Sequence, residues 1–273
     1  ALGLPTLQRL LAIHPRAAIT ATVHGYEGTG AGFLSALRRR VGGVEVAFDS
    51  AVRWAAGDPL EAFVNDALVL DADPEPDVVG AAVEEVVVRR LDRDALDDAT
   101  LRPLLGLLIM AHYRTRPSDL RRMFDGPNAQ LWASFWRGRV VAAALVAEEG
   151  GLPPEEAASV HEGRSRPRSH LIPETLIAHL GEEGTAGLRG LRFVRIATHP
   201  DCQRRGIGAH LAGVIAAQPG FAWMGAVFGA TEGRLRFWRR IGMLPVWASV
   251  IRGRSSGLRS ALSMKGRDEA GLA

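Results

Sequence analysis

The chain has 273 residues, 47% hydrophobic and 23% charged, with a formal net charge of +3, which suits one large or two smaller globular domains. A single cysteine, Cys202, excludes an internal disulfide framework and fits a reducing cytoplasm. The apolar run Leu104–Ala111 is far too short to cross a bilayer and residues 1–20 lack a signal-peptide pattern, so neither membrane nor export is expected.

All but one of the 33 basic residues are arginine, the exception being Lys265. A planar guanidinium suits phosphate and stacks on bases, but the abundance of alanine and glycine makes biased codon usage the plainer account. The chain opens on Ala1, which reads as a processed product or a piece of something longer.

Residues 1–72 read as α/β. A β-branched run covers 18–23, a glycine-rich turn 25–32, a helix 33–40, an alternating strand 44–48 and a proline-initiated helix 59–70. The acidic, proline-containing stretch Asp71–Asp77 marks a domain boundary, with a linker over 73–80. A second domain over 81–265 follows, with a short tail over 266–273. Its pattern predicts a strand at 82–91 and helices at 101–113 and 118–124. A strand pair at 131–136 and 140–147 follows, then a polar loop at 150–169 and a helix at 173–180. Next come a strand at 191–197, a helix at 207–217, a strand at 222–228 and a helix at 232–241. Two closing strands lie near 244–252 and 258–264. This is a mixed sheet flanked by helices.

The chemistry concentrates in Val194 to Gly208, where a strand ends near Ala197, a tight turn follows, and Gly206 and Gly208 open a helix. Glycines there let a ligand approach the backbone, and first-turn N–H groups with the helix dipole favour a pyrophosphate. Arg204 and Arg205 stand where they can neutralise phosphate charge. The run Gln203-Arg204-Arg205-Gly206-Ile207-Gly208 resembles the pyrophosphate-binding signature of GNAT acetyltransferases, so acetyl-coenzyme A is the expected cofactor. In that family the preceding strand splays from its neighbour and its amides bind the thioester carbonyl. The resemblance therefore assigns Ile196, Ala197 and Thr198 to the acetyl end and Gln203, Arg204, Arg205, Gly206, Ile207, Gly208 and Ala209 to the diphosphate.

Further stretches narrow the resemblance. They are His24–Gly30, Val52–Ala55 with Asp58–Glu61, Tyr113–Thr115, Asp119–Arg122, Asp125–Pro127, Arg166–Arg168, Ala178–Leu180, Arg195–His199 and Arg236–Gly242. In this order they are similar to the RNA cytidine acetyltransferases, which join a helicase-like ATPase to a GNAT domain and carry an RNA-binding tail. That resemblance implies N4-acetylation of cytidine at the wobble position of elongator tRNA-Met, using acetyl-CoA and, in the full-length protein, ATP with Mg. tRNA is then the expected partner; no DNA is expected, and the compartment is cytoplasmic. It also implies that Arg53 contacts ATP and Arg240 the acetyl-CoA, while the family's acidic contact falls on Gly233, beside Glu232.

A Walker A loop needs Gly-Lys-Ser/Thr, and Lys265 is the only lysine. The chain is accordingly read as a C-terminal-region fragment, or a divergent short member, covering the end of the ATPase domain and the whole acetyltransferase, without ATPase activity of its own. A GNAT enzyme acting on a protein or small-molecule amine and an inactive RNA-binding fragment are the alternatives. His199, following the thioester strand, is the candidate general acid or base against a structural role. His112 and Tyr113 are candidates for the acceptor side or for packing. The Arg164–Arg168 loop is a candidate RNA contact or a solvated charged loop, and the tryptophans are read mainly as core. Cys202 with His199 does not make a metal site, and none is expected.

Overall fold

A computed structural model describes residues 4–20, 43–48, 50, 52–70, 72–110, 117–253 and 257–267. Over the first 70 residues the described regular elements are two helices, α1 (Leu4–Ile13) and α2 (Pro59–Leu68). Asp58 accepts the N–H groups of Leu60 and Glu61 at 2.9 and 3.0 Å, Pro59 opens the first turn, and Val69 ends the helix in the left-handed region. The strand expected at 44–48 joins no ladder, and Val44 and Phe48 are 96% and 90% exposed. Alternation makes a strand only where a neighbour supplies the hydrogen bonds. Residues 18–20 are likewise without a ladder; 21–23, the glycine-rich turn and the helix expected at 33–40 lie outside the described residues.

The rest is built on one seven-stranded sheet. Its strands are β1 (Val87–Leu91), β2 (Ala129–Trp136), β3 (Arg139–Glu149), β4 (Gly190–Thr198), β5 (Trp223–Gly229), β6 (Leu244–Arg252) and β7 (Arg259–Gly266). Their order is β1-β2-β3-β4-β5-β7-β6, antiparallel except for β4 and β5. Parallel neighbours need a crossover, which α7 (Ile207–Ala216) supplies. It shares one face with α8 (Glu232–Arg240), where Ile207, Leu211, Ile215 and Trp238 pack on Trp132, Val146 and Phe193. The other face carries α3 (Asp98–Met110), α4 (Pro117–Asp125) and, under β5 and β7, α6 (Leu171–Leu180). β3 lies beneath helices on both faces, and Val140 to Ala147 is buried throughout, which is why its sequence is apolar without alternation.

The fold is the expected mixed sheet flanked by helices, with four local differences. The strand expected at 82–91 shrinks to β1, because Val83–Glu85 forms a 3-10 turn held by Trp136 Nε1, which donates to Glu85 at 2.6 Å. The helix expected at 101–113 begins at Asp98, where Asp97 accepts the Thr100 N–H at 2.9 Å; residues 111–116 lie outside the described set. Inside the loop expected at 150–169 stands α5 (Pro154–His161), started by proline with Glu155 and Glu156 in its first turn and burying Ala157 and Val160. Residues 73–80, expected as a linker, are exposed at Asp73, Pro76, Asp77, Val79 and Gly80 but touch the domain at two points: Val78 is fully buried and the Asp73–Pro74 backbone lies against Gly106 of α3.

Gly190, at the start of β4, faces Trp223 of β5, and a Cβ there would sit 2.0 Å from the indole. Trp223 is buried and its Nε1 donates to Leu188 at 3.0 Å, so it cannot swing aside cheaply. Gly190→Ala is expected to cost about 1–3 kcal/mol through overpacking, read as a lower urea midpoint with an unchanged slope.

Candidate functional site

β4 is held by β5 only from Gly190 to Phe193, opposite Trp223 to Ala226. Beyond that point β5 runs on to Gly229 with β7 as its partner, and β4 runs on to Thr198 with β3. The separation coincides with a bulge. Leu145 of β3 faces Arg195 and Val146 faces Phe193, which leaves Val194 as an extra residue on β4. A bulge bends its strand and raises the local twist. It also resets which side chains face which way: Leu191 and Phe193 pack with α7, Val194 and Ala197 pack with α3, and Ile196 returns to the α7 side.

The bulge fixes the amides as well. His199 N–H donates to Val141 at 2.9 Å. Counting back by alternation, Ala197 and Arg195 direct their N–H groups into the β3 ladder. Ile196 and Thr198 direct theirs into the gap that β5 has vacated. Of the three residues expected at the acetyl end, two thus present amides to the gap, while Ala197 is buried under α3.

The chain then turns sharply. His199 caps a 3-10 turn, Pro200–Cys202, its Nδ1 accepting the Asp201 N–H at 3.2 Å, and its ring is buried. That bond makes Nδ1 an acceptor, so the proton of the neutral ring resides on Nε2. Gln203 Nε2 donates to Thr198 O at 3.3 Å across the turn. Arg204 adopts φ 63° and Gly206 φ 86°, and a Cβ on Gly206 would meet nothing within 4 Å. Gly206 is the N-cap of α7 without a side-chain cap, and His210 N–H takes the Gly206 carbonyl at 2.9 Å. The N–H groups of Ile207, Gly208 and Ala209 therefore end the helix without intrahelical acceptors. Gly208 is needed for proximity: a Cβ there would lie 2.6 Å from Thr198 Oγ1, so the helix start sits directly against the end of β4.

The same glycine brings in α8, since Phe237 Cε2 would be 3.6 Å from that Cβ. Arg240 lies three residues beyond Phe237, on the same helical face and exposed; Gly233 lies one turn before Phe237. Arg205 reaches backwards, with Nη1 donating to Ala81 O at 3.4 Å. Arg53 is exposed in the irregular stretch before α2 and belongs to no part of this loop. His112 and Tyr113 fall outside the described residues. Trp132, Trp136, Trp223 and Trp238 are buried core, and Trp247 stacks on His179 at 5.1 Å. In the Arg164–Arg168 loop, Arg164 pairs with Glu162 and Arg166 Nε stands 4.0 Å from Glu174. Among the described residues no trio of His, Cys, Asp or Glu is placed to hold a metal ion, and no helix is long and apolar enough to cross a membrane.

Comparison with known proteins accounts for both halves of this arrangement. Residues 1–71 match the family description RNA cytidine acetyltransferase NAT10/TcmA, helicase domain, and residues 103–217 match GNAT acetyltransferase 2. A tRNA(Met) cytidine acetyltransferase TmcA of Nitrosococcus halophilus is 47% identical over 98% of this chain. The chain belongs to the RNA cytidine acetyltransferase family. A second relative of that description, from Haloferax volcanii, is 39% identical over 99% of the chain. The chain spans 38% and 37% of the length of these two family members. Among solved structures, a GNAT family acetyltransferase from Elizabethkingia anophelis with acetyl-CoA bound is 9% identical and covers 67% of this chain and 99% of its own, at a TM-score of 0.43.

One residue that the sequence offered as neither nucleophile nor ligand has a structural place. Cys202 is buried at the base of the turn, and its Sγ donates to Val78 O at 3.3 Å. Burial pushes its thiol above the ordinary value of 9.0, with Arg205 opposing and Asp201 assisting. A raised folded value means the neutral thiol stabilises the fold fully below the unfolded pKa, and that contribution is lost as pH rises through the folded one. Stability should therefore fall more steeply above pH 9 in the native protein than in Cys202→Ala, measured by denaturant midpoints across that range. At neutral pH the thiol should react with a disulfide reagent only on unfolding.

Proposed function

We propose that this chain binds acetyl-coenzyme A between β4 and the start of α7 and that the whole protein transfers the acetyl group to N4 of cytidine in tRNA. The observation that carries the reading is the gap where β4 leaves β5 after Phe193, ending against an uncapped helix start. The fit is chemical as well as spatial. The free N–H groups of Ile207, Gly208 and Ala209, with the helix dipole, suit a diphosphate. Gly206 leaves room for it, and Arg204 and Arg205 add positive charge. Gln203 braces the turn through Thr198, and Arg240 approaches from α8 over Phe237.

Acetyl-coenzyme A supplies an activated acyl thioester. The N–H groups of Ile196 and Thr198 are aimed into the gap, where they stabilise negative charge gathering on a carbonyl oxygen. Because these donors are fixed by the β3 ladder, they need no reorganisation. The cytosine amine is uncharged at neutral pH, so holding it in line serves in place of a strong base. His199 then acts mainly through its cap on the Asp201 N–H. The acceptor class follows the relatives' names, with the wobble cytidine of elongator tRNA-Met as the specific substrate, in the cytoplasm. Binding of ATP with Mg belongs to the whole protein, with Arg53 contributing charge opposite its phosphates.

Two experiments test this. Gly206→Asp puts a charged side chain at φ 86°, beside the diphosphate amides. It should raise the acetyl-CoA dissociation constant at least tenfold by calorimetric titration, and an unchanged value would remove the loop from the site. The second supplies the whole protein with labelled acetyl-CoA, ATP and total tRNA, followed by digestion to nucleosides. Label is expected in N4-acetylcytidine; label confined to protein would overturn the acceptor.

A further inference from the structure

We propose that Arg139 and the segment 73–81 position the acetyl-CoA loop, and that this segment carries the placement of α2 to it. The inference rests on the assignment of that loop to acetyl-CoA. The segment starts on the α3 side of the sheet. Val69 and Ala72 pack into the cluster under α3, Asp66 pairs with Arg102 at 2.5 Å, and the Asp73–Pro74 backbone lies so close to Gly106 that a Cβ would stand 2.4 Å from the Asp73 carbonyl carbon. It finishes on the opposite face, where Val78 and Ala81 are fully buried with Cys202 and Ile207. Between the two it rounds the end of the sheet at the β2–β3 turn. Arg139 Nη1 donates to Pro76 O there at 2.7 Å. Just downstream, Glu85 is held by Trp136 Nε1 and lies 3.6 Å from Arg137.

This is the end of the sheet at which the candidate site lies, since Ala142 at the start of β3 faces Thr198 at the end of β4. The segment meets the cofactor loop at two points, Val78 O with Cys202 Sγ and Ala81 O with Arg205 Nη1. The Arg205 contact is long at 3.4 Å, and the Cys202 contact, 3.3 Å and ordinary for sulfur, has a thiol as donor, a weak one. The anchor at Arg139 is short and charge-assisted. The segment is thus tied to the turn by an exposed bond and to the loop by the buried side chains of Val78 and Ala81. A shift of α2 would move the carbonyls on which Cys202 and Arg205 rest. Any such coupling works in both directions, so acetyl-CoA must bias the N-terminal part by the same factor.

The test begins with Arg139→Gln, an exposed change outside the acetyl-CoA set. Hydrogen exchange should quicken over 73–82 and over 202–207, with the melting temperature nearly unchanged. The acetyl-CoA dissociation constant should rise about three- to tenfold, less than direct loss of a charge-assisted bond would give because the loop is reached through the segment, and Arg139→Lys should recover most of it. Gly106→Ala, which displaces the segment from the other face, should act in the same direction. In the whole protein, a non-hydrolysable ATP analogue should alter acetyl-CoA affinity in the native protein and not in Arg139→Gln. Quickened exchange over 73–82 with unaltered exchange over 202–207 and unaltered affinity would overturn the proposal, as would no change in exchange at all. If the native chain fails to bind acetyl-CoA, the site assignment fails, and exchange at 202–207 alone then decides whether the segment holds the loop.

Discussion

Two parallel strands that share a ladder at one end and not at the other need something to keep them apart. Here that is the extra residue Val194. The bulge lets β4 keep its bonds to β3 while turning away from β5, and it returns Ile196 to the α7 side. Without it, Arg195 would carry the parity of Leu191 and Phe193, and its guanidinium would point into the cluster under α7. With it, Arg195 lies on the α3 side and donates to Leu108 O at 3.2 Å. A strand cannot slip by one residue without exchanging its faces. The bulge thus decides at once where a buried cation goes, which amides face the gap and where β5 lets go.

The turn after β4 inherits its position from that constraint. His199 is the last residue tied to β3, and from there the chain has seven residues in which to reach the first turn of α7. Two of them, Arg204 and Gly206, take positive φ. Such conformations persist where the surroundings fix them. The fixing comes from Gln203 on Thr198, Cys202 on Val78, and Ile207 buried beneath α7. A helix start held this tightly presents its free N–H groups in one direction only, which is what anion recognition by a backbone requires. The arginines beside it add charge; geometry comes from the backbone.

Much of this was legible along the chain. The glycine pair at 206 and 208, with Gln203, Arg204 and Arg205, a strand before and an amphipathic run after, marks the strand–turn–helix that the structure shows, and the order of strands and helices follows from periodicity. Local signals misled where two neighbours competed. Val83 to Glu85 leads straight into the β-branched run Val86–Val88, yet a tryptophan donor on β2 captures Glu85 beside a 3-10 turn. Pro153-Pro154-Glu155-Glu156 is a helix start, but polar neighbours disguised it as loop. The acidic prolines at 73–77 resemble a free linker because nothing in their own sequence reveals Gly106 or Arg139.

The type of most elements and the family resemblance were determined by the sequence itself, since periodicity and turn chemistry act between neighbours a few positions apart. Tertiary structure decided which amides of β4 are free, whether residues 73–81 are slack or gripped, and whether Cys202 is reactive or an anchor. Each of these depends on pairing across long sequence separations: Leu145 and Val146 against β4, Pro76 against Arg139, and Val78 against Cys202. Such contacts are set by the register of the sheet and leave no periodic trace in either partner alone, which is why they emerge only once the strands are in place.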